Sequence, residues 1–263
     1  MSTTTRTRVL VTVLTYPHPS GKYKELVCTA GVTAAGEWIR LYPVDYRYRP
    51  AGQRFHKYQW IELDVEPVGH GSDRRKESRK PHLDTMVAGD RLDTKDGWRE
   101  RRRIIDSMPH HTVAQLEQMY AADRTSLGIV RPTKIHDVEI EPADPEWKPE
   151  WQVALAQFDL FEGAPKELAK LPFKWSYVFE SGDDGKTHRR MIEDWELGVL
   201  FLKERERKGE QAAAESVREK YLTELCAPDL DTRFFMGTRF PYNVWLVLGV
   251  FYPPRVAQTA LPW

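Results

Sequence analysis

The sequence of 263 residues has little cysteine and no net charge. Its two cysteines, Cys28 and Cys226, lie far apart and neither belongs to a closely spaced pair. Two distant cysteines are too few for a disulfide framework or for the ligands of a structural zinc site. The composition therefore suits a reducing compartment. Lys plus Arg and Asp plus Glu both number 39, so no overall field attracts the chain to a polyanion. Any electrostatic preference must be local.

Long hydrophobic runs are also absent from the sequence. No stretch approaches the about 18 apolar residues that a transmembrane helix requires. The first residues, MSTTTRTRV, lack the apolar segment of a secretion signal. We therefore expect a cytoplasmic protein without a membrane partner.

The sequence lacks the common catalytic motifs as well. It contains no GxxxxGK[ST], no GxGxxG after a strand, no HExxH and no GxSxG. Nucleoside triphosphate hydrolysis, dinucleotide chemistry and the standard hydrolase mechanisms therefore lose support. No motif is strong enough to name a reaction, and we expect neither a cofactor nor a bound metal.

Regular patterns of apolar residues are present along most of the chain. Alternating apolar residues predict short strands over 8–16, 24–32, 37–42, 59–66, 127–141, 174–180, 187–191, 233–239 and 245–252. Helical spacing predicts helices over 96–105, 112–122, 144–163 and 193–225, the last with a weak point at Gly209. This order predicts an α+β protein built on a curved antiparallel sheet or a small β-barrel, with inserted and C-terminal helices.

The charged residues are unevenly distributed along the chain. Residues 70–105 contain eleven Lys or Arg against seven acids, whereas residues 136–167 contain nine acids against two lysines. This separation indicates either a basic binding face with an acidic back or two solvated surfaces. We expect one α+β domain over 1–255, with 70–126 as a basic loop and helix inserted into it and 256–263 as a tail. Residues 70–81 are polar enough to predict a loop.

The most informative stretch runs from Trp38 to Trp60. It contains five Lys or Arg and seven aromatic residues against one acid, Asp45. Aromatic rings stack bases, each contributing about 1–3 kcal/mol, and guanidinium groups hold phosphates. Within the strand, Ile39 and Leu41 lie on the face that suits the core. The stretch is therefore typical of a nucleic-acid platform, or of a sheet whose exposed Tyr and Arg pack against each other.

Our leading hypothesis is a protein that binds nucleic acid, DNA or RNA, as a single strand or a flipped base, with or without a processing activity. The candidate platform residues are Trp38, Arg40, Tyr42, Arg47 and Arg49. The candidate phosphate contacts are Arg74, Arg75, Lys76, Arg79, Arg99, Arg101 and Arg102.

Two other hypotheses come from other parts of the sequence. His188, Asp194 and Glu196 place an imidazole and two carboxylates where a hairpin meets a helix, as an enzyme acting on a small nucleotide-like ligand would need. Acids at a helix start are also favourable without any chemistry, because they lie near the positive end of the dipole. The aromatic residues of 147–161 indicate either core packing or a site for a protein partner.

Several phrases of the sequence resemble a bacterial family. They are KYKELVCTAGV and GEWIRLYPV near the start, DRRKES at 73–78, MIEDWELG at 191–198 and VLGVFYPP at 247–254. The phrases are similar to those of uncharacterised proteins associated with mobile and defence regions, and they are spread over most of the chain. The resemblance implies a shared fold and favours nucleic acid as a partner, but it transfers no catalytic residue.

Overall fold

A computed structural model describes residues 3–20, 24–68, 73–159, 167–182, 185–239 and 243–256. The first seven strands are β1 (Thr5–Leu14), β2 (His18–Ser20), β3 (Lys24–Leu26), β4 (Thr29–Thr33), β5 (Trp38–Leu41), β6 (Gln59–Pro67) and β7 (Ser78–Arg91). They are followed by α1 (Lys95–Ile105), β8 (His110–His111), α2 (Val113–Asp123), β9 (Leu127–Val130), β10 (Lys134–Pro142) and α3 (Pro149–Asp159). The chain continues with β11 (Phe173–Glu180), β12 (Thr187–Met191), α4 (Trp195–Lys208), α5 (Glu210–Glu219), β13 (Arg233–Arg239) and β14 (Val244–Phe251).

Five of these strands close into a small barrel. Their order is β1, β4, β5, β7 and β6, and β6 pairs again with β1. All neighbours are antiparallel except β5 and β7, which run parallel. This is the topology of the oligonucleotide- and oligosaccharide-binding (OB) fold, a five-stranded Greek-key barrel. The predicted α+β fold with a small β-barrel is confirmed.

Alternating side chains fill the barrel. Ile39 and Leu41 of β5 point inward, as predicted, and pack with Val9, Ile61 and Leu63. Gly31 of β4 lies so close to β1 that a Cβ atom there would be 2.2 Å from the carbonyl oxygen of Leu10. The closed barrel therefore depends on a residue without a side chain at that point.

Strand β7 corrects the prediction of a loop over 70–81. Residues 70–72 lie outside the described residues, but Ser78 onward is a strand that closes the barrel. Most of its side chains are exposed, and it contains Pro81. Strands are recognised in a sequence by alternating apolar residues. Strand β7 lacks this alternation because backbone pairing with β5 and β6, rather than burial of its side chains, holds it in place.

The rest of the chain forms two further sheets. One has the order β14, β13, β9, β8, and the other has the order β10, β11, β12. Helices α4 and α5 pack against these sheets around a second apolar core that includes Trp175, Phe201 and Phe234. Among the described residues, no helix is both long enough and apolar enough to span a membrane.

The four-stranded sheet covers the outer face of β4 and β5. Ala30 and Val32 pack in one cluster with Phe235 and Leu246, and the ring of Trp38 meets Phe235 edge to face at 5.9 Å. In OB folds the face of these two strands, the second and third of the barrel, is the usual place for an oligonucleotide. Here that face is buried inside the protein.

Candidate functional site

The structure separates the five predicted platform residues. Trp38 and Arg40 face the covering sheet, where Arg40 is 1% exposed and its Nη2 donates to the carbonyl oxygen of Ser126 at 3.2 Å. Burial, reinforced by the nearby charge of Arg75, lowers the pKa of Arg40 to about 10. Arg40 is therefore enclosed by protein and does not reach the surface.

The other three platform residues lie near the loop between β5 and β6. Tyr42 is half-buried, and the Arg49 side chain is 11% exposed, donating to Asp84 at 2.9 Å. Arg47 forms a 3.1 Å ion pair with the buried carboxylate of Glu25. Of the five, Arg47 is the one that reaches the cleft described below.

The predicted phosphate contacts before β7 lie in different environments. Arg75 is buried and forms a 2.6 Å ion pair with Asp73. Arg74 and Lys76 are exposed. Arg79 lines a 210 Å³ crevice at one end of the barrel together with Trp38. The buried ion pair of Arg75 is structural, because it fixes the loop that leads into β7.

The three arginines of α1 that were predicted to contact phosphates also differ in exposure. Arg99 is 70% exposed and pairs with neighbouring acids of its own helix. Arg101 is 8% exposed, with its guanidinium 4.0 Å from the ring centre of Tyr58. Arg102 donates to the carbonyl oxygen of Pro254 at 2.7 Å. Only Arg99 of the three extends into solvent, so these arginines do not form one phosphate-binding row.

His188 and the two carboxylates predicted to work with it occupy different places. The His188 ring lies in the three-stranded sheet, 5.8 Å from the ring of Phe179. Asp194 caps the start of α4 and comes six residues after His188, which corresponds to at most about 20 Å of extended chain. The cation that meets Asp194 and Glu196 is Lys57 of the barrel, at 3.1 and 3.0 Å.

Lys57 thus joins the barrel to the C-terminal part of the chain. Its side chain is 5% exposed, that of Asp194 is 2% exposed and that of Glu196 is 58% exposed. Burial alone would lower the pKa of Lys57, but the two carboxylates outweigh it and the pKa is raised. Burial raises the pKa of Asp194 to about 6 despite the attraction of Lys57. Lys57 holds the pKa of Glu196 below its ordinary value.

A larger cleft lies where the barrel meets the segment between β10 and β11. It has two outer recesses of 690 and 390 Å³ and an inner pocket of 150 Å³. The recesses share Arg47, and the inner pocket shares Trp147 and Lys170 with one recess and Tyr16 with the other. Helix α3 packs on the β2–β3 hairpin beside it. We call these three neighbouring spaces the hairpin cleft.

Aromatic side chains form much of the inner pocket. Tyr16, Trp147, Phe173 and Trp175 line it together with aliphatic residues. The ring of His18 meets Trp147 at 5.4 Å and Trp151 at 4.9 Å, both edge to face. These contacts fix His18 in one orientation at the wall of the pocket.

Three polar residues in the inner pocket form a chain of hydrogen bonds. Arg239 Nη1 donates to Glu193 Oε1 at 2.8 Å, and Arg239 Nη2 lies 2.9 Å from His18 Nε2. Arginine only donates, so Nε2 accepts and the His18 proton is on Nδ1, toward the backbone of Pro19. Burial, together with the positive charge of Arg239, lowers the pKa of His18 to about 4. Burial raises the pKa of Glu193, although Arg239 acts against it.

The hairpin cleft as a whole has charges of both signs. Six Lys or Arg and five carboxylates line the three spaces, so the net charge of the cleft is close to zero. The basic residues are Arg47, Arg54, Lys170, Lys174, Arg205 and Arg239. Lys170 Nζ lies 5.6 Å from the ring centre of Trp147, so a cation and a ring are presented side by side.

The segment 147–161 contributes two of its rings to this region. Trp147 and Trp151 pack against His18, and Trp147 Nε1 donates to the carbonyl oxygen of Leu168 at 3.0 Å. Residues 160 and 161 lie outside the described residues. Trp147 and Trp151, two of the rings that suggested a protein-partner site, are therefore engaged within the chain.

Sequence patterns do not reveal the inner pocket because its polar residues are far apart in the chain. His18, Glu193 and Arg239 come from β2, the start of α4 and the end of β13. The one local signal is that His18 stands between two prolines, which fixes its backbone beside the barrel. In the described ranges, no group of three or more His, Cys, Asp or Glu side chains is placed to hold a metal ion.

Comparison with known proteins gives matches to two families and to solved structures. Residues 5–107 match a family described as Domain of unknown function (DUF8758), and residues 109–262 match Domain of unknown function (DUF8757). No curated protein matches. A solved chain titled "Structure of murine DNA binding protein bound with ds DNA" is 8% identical, over 98% of this chain and 99% of that chain. Its TM-score is 0.28, too low to carry an argument. Since the second family match covers more than half of the chain, the protein belongs to the family Domain of unknown function (DUF8757).

Proposed function

We propose that this protein binds nucleic acid in the hairpin cleft, as a single strand or as one nucleotide turned out of a duplex. The observation that carries the proposal is the inner pocket, where aromatic walls surround the Arg239 guanidinium. The pocket opens toward the basic side chains of Lys170 and Arg205 in the outer recess. Rings beside cations are the means by which proteins hold unpaired bases and their phosphates.

The barrel topology supports this position for the ligand. OB folds bind oligonucleotides on the second and third strands and on the loops beside them. Here those strands are covered, but the loop between the first and second barrel strands is half-buried and lines the hairpin cleft. That loop contains the β2–β3 hairpin and His18, which form one wall of the cleft. The proposed site is thus displaced from the usual face to its neighbouring loop.

The charges of the hairpin cleft set how strongly salt should weaken binding. Lys170, Arg205 and Arg54 are the basic residues of the outer recesses besides Arg47, which is paired with the buried Glu25. Lys170 lies 3.9 Å from the exposed Asp144, and among the described residues Arg54 donates only to backbone carbonyl oxygens, so a phosphate competes with weak partners. Three phosphate contacts to a single strand give a slope of log K against log salt of about −2. Stacking of a base then contributes about 1–3 kcal/mol that salt hardly affects.

The contacts of the pocket favour binding over acid–base catalysis. His18 Nε2 already accepts from Arg239, and its low pKa keeps the ring neutral near pH 7. Asp194 and Glu196 are held by Lys57, and His188 lies in another sheet. None of these imidazole groups is therefore placed as a general base beside the predicted carboxylate pair.

The experiment compares two double variants with the same change of charge. Binding of fluorescent single-stranded DNA and RNA is measured by anisotropy over a salt series. Lys170→Gln with Arg205→Gln should weaken binding about tenfold and reduce the slope by about 1.4, because two phosphate contacts are lost. The matched control, Arg99→Gln with Arg103→Gln, changes two exposed arginines of α1 and should bind like the parent.

Two results would contradict the proposal. One is the absence of binding to any strand at low salt by a protein that melts cooperatively. The other is a loss of affinity in the α1 variant with none in the cleft variant, which would move the interface to the surface of α1. Thermal melting of both variants shows that each is folded.

A further inference from the structure

We infer that the inner pocket binds one base and prefers guanine or cytosine to adenine, thymine and uracil, an inference that rests on the function proposed above. The hydrogen-bonding groups of Arg239 and Glu193 lead to it. Arg239 can only donate, and the Glu193 carboxylate can only accept while ionised. Their side chains are 33% and 21% exposed, so both reach the pocket.

The internal hydrogen bonds leave a fixed set of groups for a ligand. Arg239 uses one N–H of each terminal nitrogen, toward Glu193 Oε1 and His18 Nε2. From the residues that the structure describes, no acceptor is placed against the remaining N–H groups and no donor against Glu193 Oε2. The pocket therefore offers a run of donors directly beside an acceptor.

Only some bases have an edge that complements this order. Guanine places the acceptors N7 and O6 next to the donors N1–H and N2–H₂, and cytosine places the N4–H₂ donor next to the acceptors N3 and O2. In adenine the N6–H₂ donor has an acceptor on each side, and in thymine and uracil the N3–H donor has a carbonyl on each side. When Glu193 accepts from the donor of one of these bases, only one acceptor lies beside that donor on the side of Arg239, so a second guanidinium N–H is left without an acceptor, which weakens binding.

The size and walls of the pocket fit a single ring system. Its volume of 150 Å³ is well below the about 300–1,000 Å³ of pockets that hold whole drug-sized ligands. Trp147 and Phe173 offer aromatic surfaces to a base, and the sugar and phosphates would lie in the outer recess beside Lys170. His18 acts as a positioning residue, because it holds Arg239 in place as a neutral acceptor.

The test uses short oligonucleotides in which every nucleotide is abasic except the central one, which carries the base under test. With guanine or cytosine at that position, affinity should be about fivefold to a hundredfold higher than with adenine, thymine or uracil, the range of one good bidentate contact. Replacing guanine by hypoxanthine, which lacks the N2 amino group, or by 7-deazaguanine, which lacks the N7 acceptor, should weaken binding. These changes are made on the ligand, so they do not depend on whether a variant folds.

Two variants assign the preference to the pocket. Glu193→Gln removes the negative charge that accepts from the N–H groups of the base. The affinities for the five bases should then lie within about threefold of one another, below the range of one bidentate contact. Arg239→Lys keeps the positive charge but loses the guanidinium fork and should do the same. Equal affinity for all bases in the parent protein, or a preference unchanged in both variants, would overturn this inference and leave the proposed function intact. Failure to bind any oligonucleotide would instead overturn the proposed function.

Discussion

Replacement of Lys57 by methionine should strongly destabilise the protein. Lys57 and Asp194 are 5% and 2% exposed and lie 3.1 Å apart, so the variant leaves a buried carboxylate without its cation. Removing one partner of a buried ion pair costs about 3–5 kcal/mol of the free energy of unfolding. Glu196 is 58% exposed and can turn to solvent, so it adds little to that figure.

A second substitution should recover part of this loss. Asp194→Asn removes the negative charge but keeps a residue that is favourable as the N-cap of α4. The double variant Lys57→Met with Asp194→Asn should therefore be more stable than Lys57→Met alone, with a coupling of about 2 kcal/mol between the two sites. The sign of this effect is unusual, since a second mutation in a core normally destabilises further.

Urea unfolding followed by tryptophan fluorescence measures both effects. Lys203→Met is the matched control, because Lys203 is an exposed residue of the same helix as Asp194 and should change stability by no more than about 0.5 kcal/mol. Losses that simply add in the double variant would refute the claim that Lys57 and Asp194 form a buried pair. So would a Lys57→Met variant as stable as the parent protein.

Three further predictions concern other parts of the fold. Gly31→Ala should abolish cooperative thermal unfolding, because its Cβ would meet a carbonyl oxygen at 2.2 Å, whereas Gly52→Ala, with open space around it, should melt like the parent. The fold lowers the pKa of His18 from 6.5 to about 4, so the unfolded chain takes up a proton at a higher pH than the folded one. The free energy of unfolding should therefore fall by at most about 3 kcal/mol as the pH is lowered from 6.5 to 4, and His18→Gln should remove that part of the dependence in urea titrations at each pH. Thr112→Ala breaks the capping box with Gln115 at the start of α2 and should lower the unfolding free energy by about 1 kcal/mol in the same assay.

Much of the fold follows from local patterns in the sequence. The alternation of Ile39 and Leu41 predicts a strand with one face in the core, and both residues fill the barrel. The break at Gly209 separates α4 from α5 where the helical spacing weakens. Such elements are predictable because each has an apolar face with the period of its own secondary structure.

The site could not be predicted in the same way. The sequence places Arg40 and Trp38 on the face of β5 that points away from the barrel core, and this is where they lie. What covers that face is a sheet formed by residues about seventy or more positions later, and no local pattern shows it. The long strand β7 was missed for a related reason, since backbone pairing rather than burial of side chains holds it.

Lys57 shows the same limit for the candidate catalytic residues. Asp194 and Glu196 follow a strand and begin a helix, which suggested His188 as their partner along the chain. The partner is instead Lys57, 137 residues before Asp194. Spacing in sequence predicts partners within one helix or hairpin, but it does not predict an ion pair between two residues that lie far apart in the chain.

Photocrosslinking tests the location of bound nucleic acid most directly. Single-stranded DNA that carries 6-thiodeoxyguanosine, an analogue of a base that the inner pocket is inferred to prefer, is irradiated with the protein, and the modified peptides are identified by mass spectrometry. Binding in the hairpin cleft predicts crosslinks to peptides that contain Tyr16, Trp147 or Phe173. Crosslinks confined to α1 or to the outer face of β6 and β7, or none under conditions where anisotropy shows binding, would contradict it.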